Sequence, residues 1–372
     1  MGARRTPTHP ACQEAARQPS SSPPDRVDLS GAHRPRRMRA MLPLPPFEYH
    51  APRTLPEALR ILRDHPGDAM PMAGGTDLLP NLKHGLYGAR HVVGLRGLEE
   101  LRGVRERPDG SLALGALTSI AEISRHPLVR ARLPSLAAAA SQVAGPQLRE
   151  MGTLGGNLCL DTRCVYINQT HFWRQALGYC LKKDGTVCHV VQGGQRCVAA
   201  ASNDTAPALW SLGARVRLAS AAGERELPLR ELYVADGVRN SVRREDEILV
   251  EAIVPPLPEG LRAGFSKLRM RAAIDFPALS VAVALFAPAG KVERLSLVVS
   301  ALAARPHEVR GLERLTGRPW GPELLREAGE LAQRQCHPLT NINVDPEWRR
   351  AVLPAYVRKA FESAGALPGK SP

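Results

Sequence analysis

Residues 69–78 read Ala-Met-Pro-Met-Ala-Gly-Gly-Thr-Asp-Leu: a short apolar run, a glycine pair, then a threonine and an aspartate opening an amphipathic pattern. The apolar run has strand length and the later periodicity is helical, so Gly74 and Gly75 sit at a strand-to-helix turn. Glycine at such a turn lets the backbone approach a phosphate and aim several N–H groups at it, and the helix N-terminus adds a favourable dipole. A plain turn is the commoner reason for a glycine pair, and the Asp77 carboxylate would repel a phosphate unless it points away. A second segment, Gly152-Thr-Leu-Gly-Gly-Asn157, has the same character roughly eighty residues on, so two glycine-rich loops are placed to grip a dinucleotide from two sides. Neither has the G-x-G-x-x-G spacing, which argues against a standard Rossmann site.

Working outward, Thr54 and Glu57 form a capping box with Pro56 in the first turn, and Leu55, Leu59 and Leu62 recur on one face, which predicts a helix. Val92–Val93, Leu112–Leu114 and Arg215–Leu218 read as strands, and the Ala-rich stretch 128–143 reads as one helix ending before Gly145-Pro146. Pro255, Pro256, Pro258 and Gly260 mark a linker. Beyond it, Gly264–Met270, Leu279–Phe286 and Arg294–Ser300 predict strands of one antiparallel sheet, and roughly residues 308–366 predict three helices. The fold class is α+β: a mixed first domain over 41–255 and a smaller sheet-plus-helices domain over 262–366.

Residues 1–40 hold eight arginines, three acids and many Pro and Ser without apolar periodicity, the composition of a disordered extension. Met38 and Met41 follow as alternative starts. The net charge of +14 suggests nucleic acid at first sight, but only 7 of the 50 basic residues are lysine, and the arginines are scattered without interleaved aromatics. An excess of Arg, Ala and Pro fits GC-rich coding, so no nucleic-acid partner is expected. No apolar run reaches membrane-span length and no apolar region follows Arg4-Arg5, so a cytoplasmic chain without a membrane contact is expected.

Five of the 7 cysteines fall between Cys159 and Cys197. In a cytoplasmic chain such clustering points to metal or redox chemistry more than to disulfides. Structural zinc commonly uses C-x2-C pairs, and none is present. Cys164, Cys180, Cys188 and Cys197 stand apart by 15, 7 and 8 residues, which suits four thiolates wrapped around an iron–sulfur cubane, with zinc and a chance clustering as the alternatives. Tyr166, Phe172, Trp173 and Tyr179 lie in the same stretch, either shielding a cluster or forming a small core; His171 and His189 are most simply surface residues.

Taken together, these residues resemble the FAD-binding medium subunits of the molybdenum hydroxylase family, which includes xanthine and carbon monoxide dehydrogenases. Excising 161–200 joins Gly155-Gly-Asn157-Leu-Cys-Leu160 to Ala201-Ser-Asn-Asp204-Thr-Ala-Pro207, a composite similar to the family's second flavin motif. The resemblance implies a two-lobed, PCMH-type FAD-binding domain followed by a C-terminal domain of the CO dehydrogenase flavoprotein type. An insertion at that place with four cysteines is similar to that of 4-hydroxybenzoyl-CoA reductase beta subunits. That likeness implies a [4Fe-4S] cluster on Cys164, Cys180, Cys188 and Cys197, and leaves Cys159 without a ligand role.

Carried onto this sequence, the resemblance implies that Pro71, Met72, Ala73, Gly74, Gly75, Thr76, Asp77 and Leu78 hold the FAD pyrophosphate. Thr153, Gly155, Gly156 and Asn157 would form the second wall, with Val143 near the adenine. Asp204 would accept from ribityl or ribose hydroxyls, Ile248 and Leu249 would cover the isoalloxazine, and Lys267 would stabilise charge on the reduced ring. The implied partners are a molybdopterin-binding large subunit and a [2Fe-2S] small subunit in a heterotrimer, whose further dimerisation the resemblance leaves open, with ferredoxin as electron donor. The expected role is electron relay for reductive dehydroxylation of 4-hydroxybenzoyl-CoA to benzoyl-CoA. The alternatives are the FAD subunit of another xanthine, aldehyde or CO dehydrogenase-type hydroxylase, and a zinc-binding module without enzymatic activity.

Overall fold

The computed structural model describes residues 42–367. The extension over residues 1–40, predicted above as disordered, lies outside the described residues.

The helix Leu55–Asp64 starts where the Thr54 hydroxyl accepts from the Glu57 amide at 3.4 Å. Glu57 reaches back to the Arg53 amide at 2.9 Å, one residue earlier than a standard capping box. Its buried face, Ala58, Leu59 and Leu62, packs with Ala69, Val93 and Leu95. Those residues belong to or adjoin a three-stranded parallel sheet in the spatial order Glu48–His50, His91–Gly94, Ala69–Met72.

A five-stranded antiparallel sheet comes next, in the order Val104–Glu106, Leu112–Gly115, Ile248–Val254, Arg215–Ser220, Gly223–Pro228. The central strand Ile248–Val254 is buried at every position because both its faces are covered. Ile248 and Val250 join the core under the first helix, whereas Leu249, Ala252 and Val254 join the largest core, formed with the helices of residues 120–158 and 205–232. The switch in parity between 249 and 252 follows from a register shift opposite Arg217 and Leu218, since one extra residue turns the next side chains to the other face.

The C-terminal part is a four-stranded antiparallel sheet in the order His307–Glu308, Arg294–Ser300, Leu279–Phe286, Arg262–Leu268. The helices Pro322–Gln335 and Pro346–Ser363 cover one of its faces. Its other face meets the first part through Phe265 and Ala282 against Ala139 and Ala208. The α+β class and the single C-terminal antiparallel sheet stand as read from sequence.

Two helix predictions are corrected. The stretch 128–143 forms two helices, Pro127–Arg132 and Pro134–Ser141, with Leu133 at φ −131° between them. Pro134 has no N–H to continue the first helix, and its ring disfavours a helical Leu133. The predicted three C-terminal helices are two α-helices and one short 3-10 turn, Leu312–Leu315. Gly311 and Gly317, both at positive φ, bracket that turn and stop it from growing. No helix among the described residues is long and apolar enough to cross a membrane.

Gly264 lets the last helix lie directly on the C-terminal sheet, because a Cβ there would stand 2.1 Å from the Ala360 carbonyl oxygen. Gly264→Val is expected to lower the unfolding free energy by more than about 2 kcal/mol in urea titrations, since backbone on both sides must move. An unshifted midpoint would contradict this packing.

Candidate functional site

A cleft of about 580 Å³ runs along the ends of the small parallel sheet, and its walls come from both glycine motifs, from residues 238–249 and from Ile274–Phe276. It gathers sixteen of the seventeen residues that the sequence singled out for a flavin: Pro71 to Leu78, Val143, Thr153, Gly155, Gly156, Asn157, Asp204, Ile248 and Leu249. The exception is Lys267.

The first motif behaves as its sequence suggests. The strand Ala69–Met72 ends, Gly75 turns with φ at +69°, and the helix Leu78–Lys83 begins. Among the described residues, the amides of Gly74, Gly75, Thr76 and Asp77 have no acceptor, the state of a loop that awaits one. Asp77 does not oppose an anion there. Its Oδ1 receives Arg163 at 2.7 Å and its Oδ2 receives Asn81 at 2.9 Å, so the carboxylate is neutralised and turned to protein partners.

The second motif differs from the sequence reading. Leu154–Leu158 is a short helix capped by Thr153, not a loop. Its amides are already engaged: Leu154 donates to Thr118 O, Gly155 to Ala116 O and Gly156 to Thr153 Oγ1. Gly155 must lack a side chain because a Cβ would stand 2.7 Å from that of Ala116. Gly74 has the same requirement toward the residue preceding this motif: a Cβ would fall 1.8 Å from Met151 O. These glycines bring the two walls into contact; the first wall offers four amides without an acceptor, the second only that of Thr153.

Asp204 and Lys267 form a buried pair, Nζ to Oδ2 2.7 Å, and Nζ also donates to Gln142 O at 3.0 Å. The Lys267 side chain has no exposure and does not line the cleft. The expectation that Lys267 faces the ring is therefore corrected: it supports Asp204, which does line the cleft. Asp204 Oδ1 is buried and unpartnered, an acceptor available to a ligand hydroxyl or ring N–H.

The segment 161–200 leaves and rejoins the body at one neck. Arg163 and Ala200 exchange both backbone hydrogen bonds, at 2.8 and 2.7 Å. The halves of the split motif then rejoin, as Asn157 Oδ1 accepts from the Thr205 amide at 3.1 Å and from its hydroxyl at 2.6 Å. Inside the insertion Cys164, Cys180 and Cys197 are buried together with Leu86, Ile167 and Ala199, and Cys188 is half-buried; all four are free thiols. Burial pushes the Cys164 thiol up to about 11, and the charges of Cys197, Cys180 and Cys188 act on it in the same direction. Cys197 is also raised by burial, while Lys182 pulls it down. Phe172 is 80% exposed and Trp173 lies at the surface, so the aromatic core read for this stretch reduces to Tyr166. His189 hydrogen-bonds the Tyr179 carbonyl, and His171 contacts the Tyr179 hydroxyl at 3.4 Å. Cys159 opens on the cleft, apart from the four.

Sequence reasoning missed the groups between insertion and cleft. Lys182 donates to Asp161 Oδ1 at 2.8 Å and Tyr87 donates to Asp161 Oδ2 at 3.0 Å, and both Asp161 and Tyr87 line the cleft. Burial and the Asp161 charge hold the Tyr87 phenol far above its ordinary range. Arg163 adjoins Cys164 in sequence, the one local signal that was available; its guanidinium also stacks 3.9 Å from the Phe276 ring centroid.

Residues 45–257 match the family described as FAD binding domain in molybdopterin dehydrogenase, and residues 264–364 the one described as CO dehydrogenase flavoprotein C-terminal domain. The carbon monoxide dehydrogenase medium chain of Hydrogenophaga pseudoflava is 27% identical over 329 residues, covering 88% of this chain and 99% of the relative. The xanthine dehydrogenase FAD-binding subunit of Escherichia coli O157:H7 is 28% identical over 323 residues, covering 86% and 97%. Among solved structures, a chain of the carbon monoxide dehydrogenase of Hydrogenophaga pseudoflava superposes with a TM-score of 0.72 at 26% identity, covering 87% of this chain and 99% of that one.

Burial pushes the Asp204 carboxyl up from 3.8 to about 6, against the lowering by Lys267. A raised acid stabilises the fold fully below its unfolded value and loses that contribution as pH rises through the folded value. The stability of the wild type relative to Asp204→Asn is therefore expected to fall by about 3 kcal/mol between about pH 4 and pH 7. A difference independent of pH in paired denaturation curves would contradict the shift.

Proposed function

The chain belongs to the family of the FAD binding domain in molybdopterin dehydrogenase, an oxidoreductase-subunit family, and on that premise we propose that it is the FAD-carrying electron-transfer subunit of a molybdenum hydroxylase-type dehydrogenase. The observation that carries this is the coincidence, in one cleft, of four unpartnered loop amides at Gly74–Asp77 with the unpartnered buried acceptor Asp204 Oδ1. Amides suit a pyrophosphate, and a carboxylate oxygen suits flavin or ribityl donors.

In this reading Pro71 to Leu78 cradle the pyrophosphate, with Thr76 adding a hydroxyl and Arg163 keeping Asp77 from repelling it. Thr153, Gly155, Gly156 and Asn157 supply a rigid second wall, with Val143 beside the adenine. Ile248 and Leu249, held by the buried central strand, flank the isoalloxazine and exclude water from it. Lys267 keeps Asp204 oriented. Bound FAD supplies an acceptor that takes electrons in pairs or singly. The substrate chemistry belongs to a molybdopterin-binding large subunit, and a [2Fe-2S] small subunit connects it to this chain.

A second reading rests on the four-cysteine insertion. Here Cys164, Cys180, Cys188 and Cys197 hold a [4Fe-4S] cluster, ferredoxin supplies electrons, and the complex acts as a 4-hydroxybenzoyl-CoA reductase. What supports it is that Cys164, Cys180 and Cys197 are buried together, with Cys188 half-buried in the same segment. The named relatives are dehydrogenase subunits, which favours the dehydrogenase as the enzyme even where the insertion carries iron.

The purified chain is expected to carry about one FAD, and both Gly74→Val and Asp204→Ala are expected to lower flavin content at least tenfold at equal folded yield, measured by absorbance after desalting. Full flavin retention in both variants would sink the cleft assignment. Anaerobic purification decides the insertion: about four irons per flavin, lost in Cys180→Ser, supports the cluster, and yellow protein with zinc or no metal rules it out.

A further inference from the structure

Away from the cleft, Glu48, His50 and His91 are the one group of three or more His, Cys, Asp or Glu among the described residues whose ligand atoms lie within 4.8 Å of one another. The sheet register puts them there. Glu48 and His50 are two apart on the outer strand and so share a face, and His91 is the cross-strand partner of Glu48. His50 Nε2 and His91 Nδ1 are 3.0 Å apart, and the Glu48 carboxylate oxygens stand 3.7 and 3.6 Å from those same two nitrogens.

These separations bracket the roughly 3.3 Å between ligand atoms of a tetrahedral ion with bonds of about 2.0–2.1 Å. The two imidazole side chains are about four-fifths buried, at 18% and 19% exposure, and Glu48, at 65%, leaves a way in from solvent. The ring of His65, which caps the first helix, stacks on that of His91 with centroids 3.8 Å apart and fixes its plane. Asp68, the other nearby acid, is paired with Arg90 and is not a competing ligand.

We propose that Glu48, His50 and His91 form a binding site for one divalent transition-metal ion, with zinc the ion that two imidazoles and a carboxylate suit best, and with the fourth position open to water. The ion would staple the three-residue outer strand to the middle strand. That strand pairs in turn with Ala69–Met72, which leads into the first glycine loop. Metal binding at this site would thus stiffen the sheet under the cleft without touching the cleft itself.

Cobalt(II) alone, titrated into the full chain, separates this site from the cysteines. Nitrogen and oxygen ligands give only the weak visible ligand-field bands, whereas thiolates add an intense charge-transfer band in the near ultraviolet. The expected result is a saturable visible band of one ion per chain without the thiolate band, and a rise in melting temperature. His50→Ala and His91→Ala are each expected to weaken binding at least tenfold, with flavin content unchanged as the control for folding, while His65→Ala keeps binding. Should both alanine variants misfold, Glu48→Gln decides by the same tenfold criterion, since its side chain is mostly in solvent. Absence of the band up to millimolar cobalt, a spectrum of thiolate type only, or unchanged titrations in the variants would overturn the proposal.

Discussion

Gly74 has room for a hydrogen and nothing larger, because the Met151 carbonyl occupies the place of a Cβ. That single close approach makes a cleft out of two separate pieces of chain. It sets the first glycine loop, at the end of a parallel sheet, against the start of the helix Leu154–Leu158, whose own position is fixed by Gly155 lying on Ala116. Once those backbones touch, the loop amides have no protein acceptor and a ligand becomes their natural partner. Glycine is required here for backbone-to-backbone contact first, and the first motif keeps a run of four free N–H groups where the second keeps only that of Thr153.

The buried charges follow the same geometry. Asp204 follows the point where the interrupted motif resumes, and Lys267 lies on the edge strand of the C-terminal sheet, so their ion pair ties the cleft to the second sheet. A buried pair of this kind adds little net stability, because desolvation opposes the attraction, but removal of either partner strands a charge. Glu251 shows the pattern again on the central strand, buried and met by Arg105, Arg107 and Arg217. Of the two, only Asp204 lines the cleft, and its buried Oδ1 has no partner.

The insertion is tolerated because its ends are already neighbours. With Arg163 and Ala200 paired, the residues between them close a loop whose entropic cost grows slowly with length. The insertion has too few apolar side chains for a core of its own and uses its cysteines as core residues, which is the situation in which small folds depend on a metal. It is also not a free appendage. Arg174, almost fully buried, donates to the carbonyls of His84 and Gly85 just past the first glycine helix, and Arg163 neutralises Asp77. The insertion therefore helps to shape the first wall of the cleft.

Much of this was legible in the order of residues. Local rules placed the first helix by Thr54 and Pro56, the strand-turn-helix at 69–78, and the three long C-terminal strands, because caps, glycine pairs and apolar runs act within a few residues of themselves. The bounds 161–200, taken from the family resemblance, fall beside the backbone pairing of Arg163 with Ala200. What sequence could not supply were relations between distant residues. Pro134 breaking a helix was local and was overlooked; the engagement of the second motif's amides by Thr118 and Ala116, the burial of Lys267 behind Asp204, and the meeting of Glu48 and His50 with His91 were not local at all. The sequence by itself determined which segments turn and which run straight. Only the tertiary structure decided which donors and acceptors remain free, because that depends on every neighbour that packing brings within three ångströms.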